Sequence, residues 1–318
     1  MLRADTSRWT HPVTILVATD LSDLERLIPH AFLQAQDTGA RLLLLHVIPA
    51  ATAMAVDAVG MPYYDPSAAL EYSTATLERW RSLANQRNIP CDVLVREGHP
   101  AQQIASAVRQ FRADRILLGT RSRNKLSKLF LGSVAEQVLR SVQLPVITVG
   151  PDAHLPEGGR GNQKVVLHAT TLREASRPGA VLACRIAASQ SAGLVLLHVL
   201  PTASEMTRLG EPTGLDFAAM HALRVLAEST NSSEGAQCPR IEPLIVHGNP
   251  SIEILATAAD RKASLIVLGA TDRSALNDLT RDRTIYRVLA HARCPVLTLR
   301  EASIEASLHS QEQTALQS

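Results

Sequence analysis

The strongest constraint on the fold is a sequence repeat within the chain. Three separate pairs of segments share an offset of 150 residues, namely 13–20 with 163–170, 98–100 with 248–250, and 144–149 with 294–299. A fourth pair, 43–49 with 195–201, lies at an offset of 152. Similarity that recurs at a fixed spacing indicates one structural unit repeated along the chain. We therefore expect two domains with the same fold.

The limits of these domains follow from the repeat and from local composition. We predict a first domain over 1–150, a linker over 151–162, a second domain over 163–300 and a flexible tail over 301–318. The linker is rich in glycine and proline, which are typical of connections between domains. A length of 318 residues suits two domains, because single hydrophobic cores stop growing beyond roughly 250–300 residues.

The alternation of elements predicts the fold class. In the first copy, short apolar runs alternate with segments of helical periodicity. The runs that we expect to be strands lie near 13–19, 41–48, 92–96, 115–119 and 146–149. Continuous apolar strands separated by helices are typical of parallel sheets buried on both faces. Each copy is therefore predicted to be an α/β domain with an open, mainly parallel five-stranded sheet flanked by helices. The run Asp20-Leu-Ser22 is expected to cap the first helix.

Composition and charge exclude several classes of protein. The net charge is +2 and aromatic residues make up 3% of the chain, so neither a strong positive potential nor base-stacking platforms favour a nucleic-acid partner. No apolar run approaches the roughly 18 residues of a membrane span, and the first residues contain no apolar signal segment. The four cysteines form no CxxC pair, which argues against a zinc site or a disulfide framework. We expect a cytoplasmic protein with no membrane or nucleic-acid partner.

Segment 119–133 carries the most chemical information. It follows an apolar strand and ends in Gly132-Ser133, which opens an amphipathic helix. Its basic residues are Arg121, Arg123, Lys125 and Lys128. Backbone N–H groups, a helix N-terminus and cations can converge here on one anion, which is how proteins hold phosphate. A plain strand-to-helix turn with solvated cations is the alternative.

The second copy lacks these features at the matching positions. Thr170 replaces Asp20, Asp272 replaces Ser122, and Asp282-Arg283 replaces Gly132-Ser133. Carboxylates repel phosphate, and an arginine adds bulk where a small residue would let the backbone approach. The second copy is therefore predicted not to bind phosphate in this way.

The sequence resembles the universal stress proteins, specifically the tandem type with two fused domains, over 12–150 and 163–300. In the first copy the resemblance rests on Ile-Leu-Val-Ala-Thr-Asp20, Leu-His-Val-Ile-Pro49, Gly98-His-Pro100, the 119–133 segment, Val-Ala-Glu-Gln-Val-Leu139 and Pro145-Val. It implies a Rossmann-like fold of the adenine nucleotide alpha hydrolase type. Nucleotide-binding members have a Gly-x2-Gly-x9-Gly-Ser/Thr loop. This chain has Gly119-x2-Ser122-x9-Gly132-Ser133, with serine at the middle glycine.

Carried over position by position, the resemblance implies a site for ATP, or for AMP or ADP, with or without Mg²⁺. Asp20 would contact the ribose or the adenine edge, and helix capping is an equally good explanation of this residue alone. Val47 and Leu118 would line the base pocket. The groups implied to face the phosphates are the backbone or hydroxyl groups of Gly119, Gly132, Ser133 and Val134. Ser122 can donate its hydroxyl to a phosphate oxygen, and on charge alone we add Arg121, Arg123 and Lys125.

Three functional hypotheses follow. The first is a stress-response protein that binds an adenine nucleotide in its first domain as a regulatory ligand, with the second domain as a built-in dimer partner. The first alternative is a nucleotide-free adaptor that acts through protein partners, and the second is a weak ATPase. The sequence contains no Walker motif, nucleophile elbow or carboxylate pair, so we assign no catalytic residue. His46 and His198 recur in both copies, and we predict packing positions there rather than metal ligands. Whether two chains form a further homodimer stays open.

Overall fold

The computed structural model describes residues 7–49, 65–120, 131–156, 164–202, 214–231, 238, 240–270 and 283–300. The chain divides into two compact units. The N-terminal unit is His11–Val142, and the C-terminal unit combines Met1–Thr10 with Gln143–Ser318. Among the described helices, none combines the length and the apolar character that crossing a bilayer requires.

The N-terminal unit contains a parallel sheet. Its strands are β1 (Thr14–Thr19), β2 (Arg41–Pro49), β3 (Cys91–Gly98) and β4 (Arg115–Gly119). They lie in the order β3-β2-β1-β4, and each neighbouring pair is parallel. The chain therefore leaves β1 in one direction to form β2 and β3 and returns on the other side to form β4. The helices that the structure describes in this unit are α2 (Leu24–Thr38), α3 (Pro66–Asn85), α4 (Pro100–Phe111) and α5 (Ser133–Ser141).

Burial explains why these segments form strands and helices. All six residues of β1 are buried, as expected for a central parallel strand with helices on both faces. Pro100 occupies the first turn of α4, where its missing N–H costs no hydrogen bond. The predicted cap at Asp20–Ser22 was wrong, because α2 begins at Leu24 with Asp23 at its N-cap.

The described part of the C-terminal unit contains six strands. They are β5 (Val146–Val149), β6 (Val165–Ala169), β7 (Gly193–Leu200), β8 (Ile241–His247), β9 (Leu265–Ala270) and β10 (Val296–Arg300). Their order is β5-β10-β9-β6-β7-β8. Its described helices are α1 (Ser7–Thr10), α6 (Arg177–Ser189), α7 (Leu215–Asn231), α8 (Pro250–Asp260) and α9 (Arg283–His291), with a short 3₁₀ helix at Glu174–Ser176.

One strand pair in the C-terminal unit is antiparallel. β5 pairs with β10 in a register that places Val296 opposite Thr148, and the Thr148 hydroxyl donates to the Val296 carbonyl at 3.2 Å. The other four pairs of this unit are parallel. β5, the last strand of the first repeat, thus pairs with β10, the last strand of the second. The boundary between the compact units therefore lies before β5, whereas the boundary between the repeats lies after it. Parallel α/β architecture with flanking helices, as predicted, is confirmed.

Candidate functional site

A cavity of about 470 Å³ lies in the N-terminal unit, at the carboxyl ends of β1, β2 and β4. This is the edge where the order of strands reverses, and open α/β sheets bind their ligands at such a switch point. Seven residues predicted from the sequence line the cavity, namely Asp20, Val47, Leu118, Gly119, Gly132, Ser133 and Val134. They come from four separate stretches of sequence, which the fold brings together.

Four other predicted site residues cannot be placed in this cavity. Arg121, Ser122, Arg123 and Lys125 lie outside the described residues. The cationic part of the site and the serine in place of the family glycine therefore stay predictions. The two ends of their segment are nevertheless joined, because the Gly132 N–H donates to the Thr120 carbonyl at 2.8 Å.

The start of α5 forms one end of the cavity. Gly132 is the N-cap residue, with extended dihedral angles and no side-chain cap, and Ser133 is the first helical residue. The first N–H groups of a helix have no intrahelical partner, and the helix dipole places a partial positive charge there. Because the Gly132 N–H is already bonded to Thr120 and the Glu136 N–H to Gly132, the groups that remain for an anion are those of Ser133, Val134 and Ala135.

Asp20 presents a carboxylate at the end of β1. Its Oδ1 accepts hydrogen bonds from the Ser22 backbone N–H at 2.9 Å and from the Ser22 hydroxyl at 2.6 Å. This Asx turn sets the path of the chain between β1 and α2, where Leu21 adopts a positive φ of 69°. Within the described part of the chain, Oδ2 of Asp20 makes no hydrogen bond and is the atom available to a ligand.

Apolar side chains form another wall of the cavity. Val47 and Leu118 are 7% and 3% exposed. Pro100 and Ile104 of α4 also line the cavity, as does Tyr72 of α3. These three residues could not be assigned to a site from the sequence, because the helical spacing of apolar residues does not distinguish those that face a cavity from those that fill the core.

Asp23 is the main site residue that the sequence analysis missed. It lines the cavity and is 9% exposed, and its Oδ1 accepts from the Thr19 hydroxyl at 2.7 Å. Burial raises the pKa of this carboxyl, the Thr19 hydrogen bond opposes that shift, Asp20 adds to it, and Arg26 at 3.9 Å opposes it. Asp23 is the N-cap residue of α2, yet its side chain makes no cap hydrogen bond.

Asp23 also explains why residue 119 is glycine. A Cβ built on Gly119 would lie 2.1 Å from Oδ2 of Asp23. No side chain fits there unless the carboxylate moves. Glycine at position 119 therefore leaves space for the buried Asp23 carboxylate in the cavity wall. This steric requirement is distinct from the phosphate contact that was predicted for Gly119.

His46 lines the cavity and has a structural hydrogen bond. Its Nδ1 lies 2.9 Å from the Thr19 carbonyl oxygen, which can only accept, so Nδ1 carries the hydrogen. His198 makes the matching bond to the Thr170 carbonyl at 2.8 Å. In both repeats the imidazole ties the end of the second strand to the end of the first, which agrees with the packing role predicted for these histidines.

The second repeat has a different arrangement at the matching positions. His168, at the position of Ala18, is 1% exposed, and its Nδ1 donates to the Val267 carbonyl at 3.0 Å. Burial lowers the pKa of His168 to about 4. Gly179 makes room for this ring, since a Cβ there would lie 3.3 Å from its Cε1. The predicted carboxylates Asp272 and Asp282 lie outside the described residues.

Fold and site together define an open α/β domain with a small-molecule cavity at its switch point. The sequence profile of the universal stress protein family matches residues 13–150 and 163–300. The chain therefore belongs to the universal stress protein family and carries two copies of its domain.

The chain is also similar to individual proteins and solved structures. A universal stress protein from Thermus aquaticus is 34% identical over 137 residues, which are 43% of this chain and 97% of the relative. The crystal structure of a universal stress protein from Archaeoglobus fulgidus shares the fold over 92% of this chain and 97% of its own, with a TM-score of 0.66 and 20% identity. Another solved universal stress protein, in complex with cAMP, is 19% identical and covers 44% of this chain and 99% of its own, with a TM-score of 0.34.

Proposed function

We propose that the N-terminal domain binds ATP or a related adenine nucleotide as a regulatory ligand in a stress-response protein of the cytoplasm. The observation that carries the proposal is the cavity of about 470 Å³, in which a carboxylate, an apolar wall and a helix N-terminus face one space. Each of these three groups suits a different part of a nucleotide.

Adenine, ribose and phosphate would contact different parts of the cavity. An adenine ring is largely apolar on its faces and would pack between Val47 and Leu118. Ribose hydroxyls would donate to Asp20, whose Oδ2 is open in the described part of the chain. Phosphate oxygens would accept from the N–H groups of Ser133 and Val134 at the start of α5. The cations of segment 121–125 would then strengthen phosphate binding by charge.

The size of the cavity fits such a ligand. Small-molecule sites commonly occupy roughly 300–1,000 Å³, and this cavity lies within that range. Among the described residues, no group of three metal-ligating side chains occurs. A Mg²⁺ ion would arrive with the phosphates and be held chiefly by their oxygens and by water, as is usual for Mg²⁺ in nucleotide sites.

The second domain would act as the permanent partner of the first. The last strands of the two repeats, β5 and β10, form an antiparallel pair with Leu297 opposite Ile147. Two apolar edge strands that pair within one chain need no second molecule to cover them. We propose that this pair makes the tandem chain an intramolecular pseudo-dimer.

Isothermal titration calorimetry with ATP tests the nucleotide proposal. We expect a stoichiometry near one per chain, and we expect Gly132→Asp to abolish the binding heat, because a carboxylate at the N-cap would face the phosphates. Ser67→Asp is the matched control, since it adds the same charge at the start of α3, where Ser67 is exposed and does not line the cavity.

The ATP titration, together with a phosphate-release assay, distinguishes the nucleotide proposal from the adaptor and ATPase hypotheses. A lack of heat at millimolar ATP would contradict the proposal and favour a nucleotide-free adaptor. Release of phosphate that depends on Mg²⁺ and disappears with Asp20→Ala would identify a weak ATPase at this site. Two nucleotides per chain would show that the second domain also binds.

A further inference from the structure

Two of the four cysteines are neighbours in the C-terminal unit. Cys184 lies in α6 and is fully buried, whereas Cys238 precedes β8 and is 7% exposed. Their thiols are hydrogen-bonded to each other. They come from distant parts of the second repeat, and no motif in the sequence links them, so only the fold shows the contact.

Hydrogen bonds hold Cys238 in place beside Cys184. Its backbone N–H donates to Oδ1 of Asn231, the last residue of α7, at 3.2 Å. Its sulfur lies 3.6 Å from the Ala192 carbonyl oxygen and 3.4 Å from the Arg240 carbonyl oxygen, to which the thiol can donate. Both the backbone and the sulfur of Cys238 are therefore anchored.

The two sulfurs differ in acidity. The hydrogen bond from the Cys184 thiol lowers the pKa of Cys238 to about 7, although burial opposes this shift. The same hydrogen bond and burial raise the pKa of Cys184. Cys238 is therefore the thiol that ionises first, and it is also the more exposed of the two.

We propose that Cys184 and Cys238 form a redox-active dithiol, which a peroxide converts into an intramolecular disulfide. This modification site joins α6 to the start of β8, within the repeat that lacks the predicted nucleotide-binding residues. It is independent of the nucleotide cavity, which lies in the other compact unit.

The chemistry balances with hydrogen peroxide as the oxidant. The Cys238 thiolate attacks one peroxide oxygen, the O–O bond breaks, and the departing oxygen leaves as water after taking a proton, so that Cys238 becomes a sulfenic acid. The Cys184 sulfur then attacks the Cys238 sulfur, the S–O bond breaks, and a second water leaves with the Cys184 proton. Two thiols and one peroxide thus give one disulfide and two waters.

The other two cysteines are internal controls. Cys91 and Cys294 are 8% and 5% exposed, so they are about as buried as Cys238. Burial raises the pKa of each to about 12, and the other groups that shift these pKa values are charged side chains or backbone, not a second thiol. Because the thiolate is the reactive species, both should react far more slowly with peroxide.

Peptide mapping of the full-length chain tests the proposal. The reduced protein is treated with hydrogen peroxide, quenched with catalase, alkylated under denaturing conditions and digested without reductant. We expect the thiol count to fall from four to two, to recover with dithiothreitol, and to yield a peptide that links Cys184 to Cys238. We also expect this pair to be oxidised at least about tenfold faster than Cys91 or Cys294.

Single substitutions make the test specific. Cys184→Ser should leave a sulfenic acid on Cys238 that dimedone traps, whereas Cys91→Ser and Cys294→Ser should still form the disulfide. Retention of all four thiols, equal oxidation of all four or a different pairing would overturn the proposal. Mapping of the unsubstituted chain decides these outcomes even if a variant fails to fold.

Discussion

At the scale of single residues, the cavity wall depends on how one carboxylate is accommodated. Oδ2 of Asp23 occupies the space where a Cβ of residue 119 would lie, only 2.1 Å from that position. Oδ1 is held by the Thr19 hydroxyl at 2.7 Å. Since the Thr19 hydroxyl also accepts the Leu21 N–H at 2.9 Å, Thr19, Leu21 and Asp23 form a small hydrogen-bond network at the end of β1.

Gly119→Ala should disturb this network. We expect a loss of about 1–3 kcal/mol in the free energy of unfolding, because the added methyl overpacks a closed site. Asp23→Ala removes the clashing group, so the double substitution should cost less than the sum of the two single ones. Gly193→Ala is the control, since a Cβ there would lie 3.9 Å from its nearest neighbour, the Arg240 carbonyl oxygen. Urea unfolding measures all four variants, and strict additivity would contradict the contact.

His168 makes the stability of the second repeat depend on pH. Burial lowers its pKa from 6.5 to about 4. Between these values the unfolded chain binds a proton that the folded chain does not, so stability is present above pH 6.5 and falls as the pH falls towards 4.

We expect His168→Gln to reduce this loss, because glutamine does not titrate. Between pH 7 and about pH 5, the unsubstituted protein should lose about 2 kcal/mol more than the variant, from roughly 1.4 kcal/mol per pH unit below 6.5. Urea unfolding at both pH values measures the difference. Equal losses in the two proteins would contradict a neutral buried imidazole.

At the level of secondary-structure elements, the antiparallel pair of β5 and β10 connects the two repeats. β5 is the last strand of the first repeat, and β10 is the last strand of the second. Both strands are short and apolar, and every residue of β5 is buried. Ile147 and Leu297 face each other in the register and are fully buried. The pairing supplies hydrogen bonds and apolar packing that neither strand could obtain from its own repeat at that edge.

Leu297→Ala should therefore weaken the C-terminal unit. We expect a loss of about 2–5 kcal/mol in the free energy of unfolding, as is typical of large-to-small changes in cores. Leu155→Ala is the matched control, because Leu155 is 46% exposed and its truncation should cost less than about 0.5 kcal/mol. Similar costs for the two substitutions would show that the strand pair contributes little to stability.

At the scale of the whole molecule, duplication provides two domains with different chemistry. One repeat contains a cavity lined by Asp20, Gly132 and Ser133. At the position of Ala18, the other has a buried histidine for which Gly179 makes room. The two repeats thus diverge in the residues around the end of their first strand while keeping the same order of strands and helices.

The repeat, the α/β fold class and seven of the residues that line the cavity could be predicted from the amino-acid sequence. Apolar runs and the offset of 150 residues are local or periodic signals, and the carboxyl ends of parallel strands necessarily meet at one edge. The role of Asp23, the pairing of β5 with β10 and the contact between Cys184 and Cys238 could be seen only in the folded chain. These features depend on which surfaces face each other at a few ångströms, and spacing along the chain does not encode that distance.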